Sequence, residues 1–89
     1  MTFEDARASI FAALHKSHGL LNDPLMDKRS RNPLADVSFD ELELDSLEAM
    51  EFCLNVEDNV GLRVELGELL LHPSVNALAA ALAERTSPA

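Results

Sequence analysis

The sequence predicts an all-α fold, a bundle of three main helices and one short one with a long first loop. Three observations carry this. Apolar residues recur at three-and-four spacing in several separate runs, the period of a helix face rather than of a strand. Leu and Ala abound while the aromatics are four Phe, with no Tyr or Trp, a composition that suits helices better than a β-sandwich. Capping residues precede these runs, and glycines follow two of them. The 89 residues make one domain, 1–89, because no second core can be built from what is left over.

The first helix is expected over 3–18. Thr2 caps it, Asp5 reaches back in a capping-box manner, and Gly19 stops it. Phe3, Ala6, Ile10, Ala13 and Leu14 form its core stripe. From 19 to 44 the pattern dissolves into the long loop, since Pro24 and Pro33 exclude a continuous helix and Asn22-Asp23-Pro24 is turn material. Leu20, Leu21, Leu25 and Leu34 are expected to pin this loop to the bundle, with Lys28-Arg29-Ser30-Arg31 as a solvated tip. Ser38 and Glu41 form a second capping pair, which predicts one short turn whose Phe39 and Leu42 lean inward.

The main helix is expected over 45–60, capped by Asp45 or Ser46 and closed by Gly61. Leu47, Met50, Leu54 and Val60 are assigned to its core face with Cys53 beside them. Glu48, Glu51, Asn55, Glu57 and Asp58 are left for solvent or a partner. A short helix at 66–71 is stopped by His72-Pro73, and Ser74 caps a last helix over 74–85. Thr86-Ser87-Pro88-Ala89 is expected to fray.

Charge narrows the function. The net charge is −9, and between Asp36 and Glu68 Arg63 is the one cation among many carboxylates. Such a field repels nucleic acid and anionic membrane and attracts basic protein surfaces. The chain opens on a polar helix with no basic segment and apolar run ahead of it, and its apolar runs are too short to cross a bilayer. A cytoplasmic protein is expected.

Ser46 is the residue on which chemistry is expected to centre. It is a hydroxyl at a helix start, where free N–H groups and the positive dipole end favour a phosphate ester. On spacing alone a plain helix cap is the better account of it. Leu44-Asp45-Ser46-Leu47, with acids at Glu48, Glu51, Glu57 and Asp58 and then Gly61, resembles the acyl carrier and peptidyl carrier proteins. Phe39, Leu42 and Val75 extend the similarity, which runs from about 39 to 82; the family often has a glycine where this chain has Glu43.

The resemblance implies a four-helix carrier-protein bundle in which Ser46 carries a 4′-phosphopantetheine arm taken from coenzyme A. The arm's thiol holds acyl or aminoacyl cargo as a thioester. Asp45 and Leu47 then belong to the attachment motif, and Glu48, Glu51, Glu57 and Asp58 meet basic partner enzymes. Met50, and Leu47 in part, either add an apolar contact beside Ser46 or belong to the core. The implied partners are a phosphopantetheinyl transferase, an acyl- or aminoacyl-activating ligase and downstream acyl-transfer enzymes, met by a monomeric shuttle. Pro73-Ser74-Val75-Asn76-Ala77-Leu78-Ala79 looks closer to peptidyl and polyketide carriers, which tilts the cargo toward aminoacyl or peptidyl groups.

Other classes fare worse. A serine hydrolase needs a base, an oxyanion site and a nucleophile elbow, and no Gly-x-Ser-x-Gly occurs, so no enzyme is expected. His15 and His18 lack a third metal ligand and are expected at the surface, and Glu57-Asp58-Asn59 lacks a calcium loop's alternation. Cys53, the single cysteine, is expected to be buried and inert. An acidic helical interaction module without a prosthetic group is the alternative.

Overall fold

The computed structural model of the protein describes residues 1–86. Its helices are α1 (Phe3–His18), α2 (Pro24–Arg31), α3 (Ser46–Val60), α4 (Leu66–Leu71) and α5 (Val75–Thr86). Short 3-10 turns lie at Leu20–Asn22, between α1 and α2, and at Asp40–Leu42, between α2 and α3. α1 is the central element and packs on both α3 and α5. The expected fraying begins too early: Thr86 closes α5, its hydroxyl donating to Leu82 O at 3.3 Å and Ala83 O at 3.1 Å. The rest of that expectation, Ser87-Pro88-Ala89, lies outside the described residues.

The capping logic holds at both ends of the long helices. Thr2 and Asp5 form a reciprocal capping box on α1, and Gly19 ends it at φ 63°. Asp45 and Glu48 do the same for α3, which Gly61 ends at φ 70°. Ser74 Oγ accepts from Ala77 N–H at 3.1 Å to cap α5. Both glycines sit in the left-handed region, where a Cβ is strained.

The first connection corrects an expectation. It is not loop throughout, because residues 24–31 form α2. Asp23 accepts from Leu25 N–H at 3.0 Å as N-cap, and Pro24 takes the first helical position, where its missing N–H costs nothing. The prolines therefore bracket a helix rather than forbid one. Lys28, Arg29 and Arg31 become its last turn, where cations suit the dipole. Arg29 pairs with Glu41 of the following 3-10 turn, and Arg31 with Asp27 at 3.2 Å. Arg29's hydrogen bond, then Ser38's N–H, hold the Glu41 carboxyl below the usual carboxylate range. That contribution is present above a carboxylate pKa of about 4.3 and is lost as pH falls through the lower folded value.

Arg7 secures this connection, and its composition gives no hint of doing so. It is buried on α1, 4.8 Å over the Phe11 ring. Its guanidinium donates to the carbonyls of Arg29, Ser30, Asn32 and Ala35 at 2.8–2.9 Å and to Asn76 Oδ1 at 2.8 Å. It thus adds a charged donor to the carbonyls of Arg29, Asn32 and Ala35, which also accept from Asn32 N–H, Ala35 N–H and Asn76 Nδ2, and it takes Ser30 O besides. Leu20 and Leu21 pack on the core as expected, but Leu25 and Leu34 do not; Leu34 is 92% exposed. The Arg7 clamp, a polar device, does the pinning assigned to them.

The core is apolar and continuous. Ile10 and Leu14 of α1 meet Phe52 and Val56 of α3 and Val75, Leu78 and Leu82 of α5. Val37 and Phe39 enter from the approach segment, and the Phe39 and Phe52 rings lie 5.5 Å apart at a tilt of 54°. An antiparallel bridge of Ser38 with Ser74 fastens that segment to the start of α5 through Phe39 N–H to Pro73 O and Val75 N–H to Val37 O, each 2.9 Å. The path into α3 is thereby fixed from below.

Candidate functional site

α3 begins where three constraints meet. The approach segment is held to α5 by its bridge, and the Asp40–Leu42 turn is capped by Ser38 and Glu41. Glu43 then turns the chain through a left-handed conformation, φ 50° and ψ 44°, unusual for a residue with a side chain. This is the position where the resemblance led one to expect glycine. Asp45, extended at φ −77° and ψ 176°, caps the helix: its Oδ1 accepts from Glu48 N–H at 2.8 Å.

Ser46 is the first helical residue and is exposed. Asp45 Oδ1 takes the N–H of Glu48, and Asp45 O takes that of Ala49 at 2.9 Å. The N–H groups of Ser46 and Leu47 have no acceptor within the helix, so they can face an anion on the serine oxygen. The surrounding carboxylates of Glu43, Asp45 and Glu48 oppose a freely bound phosphate. A phosphate fits here when a covalent bond to Oγ holds it.

A groove of about 290 Å³ opens beside the serine, between the approach segment, the first turn of α3 and α4. Phe39, Leu44 and Ala49 line one wall and Leu66, Leu69 and Leu70 the other, with Ser46 among the lining residues. α4 is held against α5 by the Glu68–Arg85 ion pair and by its cap at Glu65.

The faces of α3 differ from expectation. Phe52, Cys53 and Val56 are buried, whereas Leu47, Met50 and Leu54 are 66%, 53% and 58% exposed. At 3.6 residues per turn the two stripes lie on roughly opposite sides of the helix. Phe52 and Val56 win the core because their side of the helix is the one packed on α1. Leu47 and Met50 therefore stand outside, beside Ser46.

The acidic residues divide as well. Glu51 and Asp58 are exposed, and no ion pair engages them among the described residues. Glu57 is half-buried, and its Oε1 accepts from Val64 N–H at 2.8 Å, which anchors the chain after Gly61. Glu57 and Asp58 sit about 16–18 Å along the helix from Ser46 at 1.5 Å per residue. Glu48 turns inward: Oε1 accepts from Asp45 N–H at 3.3 Å, and Oε2 lies 2.9 Å from His18 Nε2.

His18 is thus not at the surface, its side chain being 16% exposed. A signal was present in the spacing, since Ile10, Leu14 and His18 recur every four residues on the buried side of α1. His15 is exposed as expected, with Nδ1 accepting from Leu21 N–H at 3.2 Å. Cys53 is buried, and burial, followed by the nearby charge of Glu57, pushes its thiol pKa up. No cluster of three or more potential metal ligands occurs among the described residues, and none of their helices is long and apolar enough to cross a membrane.

A small all-helical domain is the class this architecture defines, and comparison with known families assigns it. The model for the phosphopantetheine attachment site matches residues 28–82, more than half of the chain. The chain belongs to that family, the acyl and peptidyl carrier proteins, whose domain carries covalently attached 4′-phosphopantetheine. Searches of curated proteins and of solved structures each returned no match.

Proposed function

We propose that Ser46 is the attachment point and that the protein is a carrier presenting acyl or aminoacyl cargo to partner enzymes. The observation that carries this is the exposed Ser46 hydroxyl at the start of a fifteen-residue helix in a phosphopantetheine-attachment domain, with first-turn N–H groups left over for a phosphate. The arm supplies the reactive thiol that holds cargo as a thioester. The protein's own residues supply presentation. Asp45 and Glu48 fix the turn through their reciprocal bonds, and Leu47 flanks the serine on the outside.

Attachment would form a phosphodiester between Ser46 Oγ and the pantetheine phosphate as coenzyme A's pyrophosphate bond breaks and adenosine 3′,5′-bisphosphate leaves. The serine proton would pass to a base on the phosphopantetheinyl transferase, since the neighbouring Asp45 and Glu48 carboxylates are engaged in the capping box. Partners, namely the transferase, an activating ligase and acyl-transfer enzymes, meet the stripe Leu47, Met50 and Leu54 with Glu51 and Asp58 beside it. Apolar residues flanked by carboxylates suit an apolar recess rimmed by Arg and Lys, giving fast, weak, salt-sensitive encounters by a monomer in the cytoplasm. Cargo of the aminoacyl or peptidyl class is favoured by the sequence that opens α5.

Intact mass after incubation with a transferase and coenzyme A tests the attachment. One phosphopantetheinyl group should be gained by the native chain and none by Ser46→Ala. No gain, or a gain that survives Ser46→Ala, overturns the proposal. Loading of the modified chain by separate activating enzymes tests the cargo; acceptance of fatty-acyl loaders alone removes the aminoacyl preference.

A further inference from the structure

We propose that His18 is a positioning residue for the Asp45–Ser46–Leu47 turn, acting through Glu48, and that protonation of its ring tightens that turn. For its consequence in modification this rests on Ser46 being the attachment point; the coupling itself does not.

His18 bears on both flanks of Ser46. Its ring lines a cavity of about 50 Å³ together with Leu14, Leu20, Leu42 and Leu44, and Leu44 stands two residues before the serine. After the serine comes Glu48, whose Oε2 is 2.9 Å from His18 Nε2. The same carboxylate accepts the Asp45 N–H through Oε1 at 3.3 Å, while Glu48 N–H donates to Asp45 Oδ1 at 2.8 Å. A side chain at the end of α1 thus holds one arm of the box that starts α3.

The His18–Glu48 contact is at ion-pair distance without the alignment of a hydrogen bond, and both ring nitrogens are buried with no hydrogen-bond partner. A neutral ring gains little from a misaligned N–H. An imidazolium gains the full charge attraction to Glu48 and the favourable carbonyl end of α1. An imidazolium at His18 therefore strengthens the link to the box.

Other charged groups around His18 act differently. On α1 itself, His15 and Lys16 occupy the same last turn. The Leu20–Asn22 turn brings no titratable group before Asp23. The approach segment brings Asp40, Glu41 and Glu43, of which Glu41 is engaged by Arg29. α3 brings Asp45, Glu48 and Glu51, of which Glu48 makes the ion-pair contact. His15 accepts a backbone hydrogen bond through Nδ1, so its protonation works on the Leu21 turn and must be separated.

NMR of the full, unmodified chain from pH 8 to 5 tests the link, independently of whether Ser46 accepts an arm. The amide signals of Asp45, Ser46 and Leu47 should move with the same midpoint as the His18 ring. Exchange of the Glu48 amide, corrected for its intrinsic pH dependence, should slow about two- to fivefold on protonation, the scale of a half-exposed ion pair. H18Q should abolish both effects, and H15Q should leave them. E48Q should keep the ring titration but disconnect it from the turn, which preserves the test if H18Q does not fold. Turn amides that ignore the His18 midpoint, or that still titrate in H18Q or E48Q, overturn the proposal.

Discussion

The inner and outer faces of α3 carry similar apolar side chains and have opposite fates. Phe52, Cys53 and Val56 are sealed in the core that α1 organises, while Leu47, Met50 and Leu54 face outward. The difference teaches that apolarity alone does not decide burial; the neighbouring elements do. One helix thereby has a side that holds the fold together and a side available for recognition. The outward stripe starts at the residue after Ser46, so contact made there bears directly on the serine.

The comparison breaks most sharply at Phe52. Phe52→Ala should destabilise the protein by about 3–5 kcal/mol in chemical denaturation, as large-to-small changes in sealed cores do. A loss below about 1 kcal/mol would show that the inner face is not the load on which the bundle depends. Arg7→Ala comes next, at about 2–3 kcal/mol, because the carbonyls of Arg29, Asn32 and Ala35 lose a charged donor. Its amide-exchange signature should concentrate in residues 24–36 rather than in α3, separating the clamp from the core.

Glu43→Gly should stabilise by about 0.5–1 kcal/mol, the relief of left-handed strain less the added freedom of the unfolded chain. Thermal unfolding reads this directly, and a loss would mean that the Glu43 side chain contributes more than its backbone costs. The smallest stability effect belongs to the outer face: Leu47→Ala and Met50→Ala should each stay within about 0.5 kcal/mol of the native chain. Their transferase kcat/KM should nonetheless fall about tenfold. Unchanged kinetics in both would remove the outer stripe from partner recognition.

Local chemistry was legible in the sequence wherever a few adjacent residues settle it. Thr2 with Asp5, Ser38 with Glu41 and Asp45 with Glu48 each announce a helix start, and Gly19 and Gly61 announce two ends. The family resemblance centred on Asp45-Ser46-Leu47 was legible for the same reason. What long-range packing decides was not. Pro24 reads as a breaker until Asp23 is seen to cap ahead of it, and Arg7 reads as a solvated cation until distant carbonyls converge on it. The two apolar stripes of α3 are equivalent in isolation, and only the position of α1 and of the core around it chooses between them. Glu48 reads as a solvent- or partner-facing charge, and its engagement by His18 and the Asp45 amide shows only once α1 is in place.

Cys53 gives the fold a consequence for cargo retention. A thioester passes its acyl group to any accessible thiolate, and exchange runs through the deprotonated sulfur. Here the protein's own thiol is sealed on the inner face and held protonated by burial and by Glu57. With the arm on Ser46 as proposed, self-acylation would be suppressed twice, by access and by protonation. Leakage is then governed by water and by partner enzymes, and an alkylating reagent applied to the folded carrier reports the arm's occupancy against a silent background.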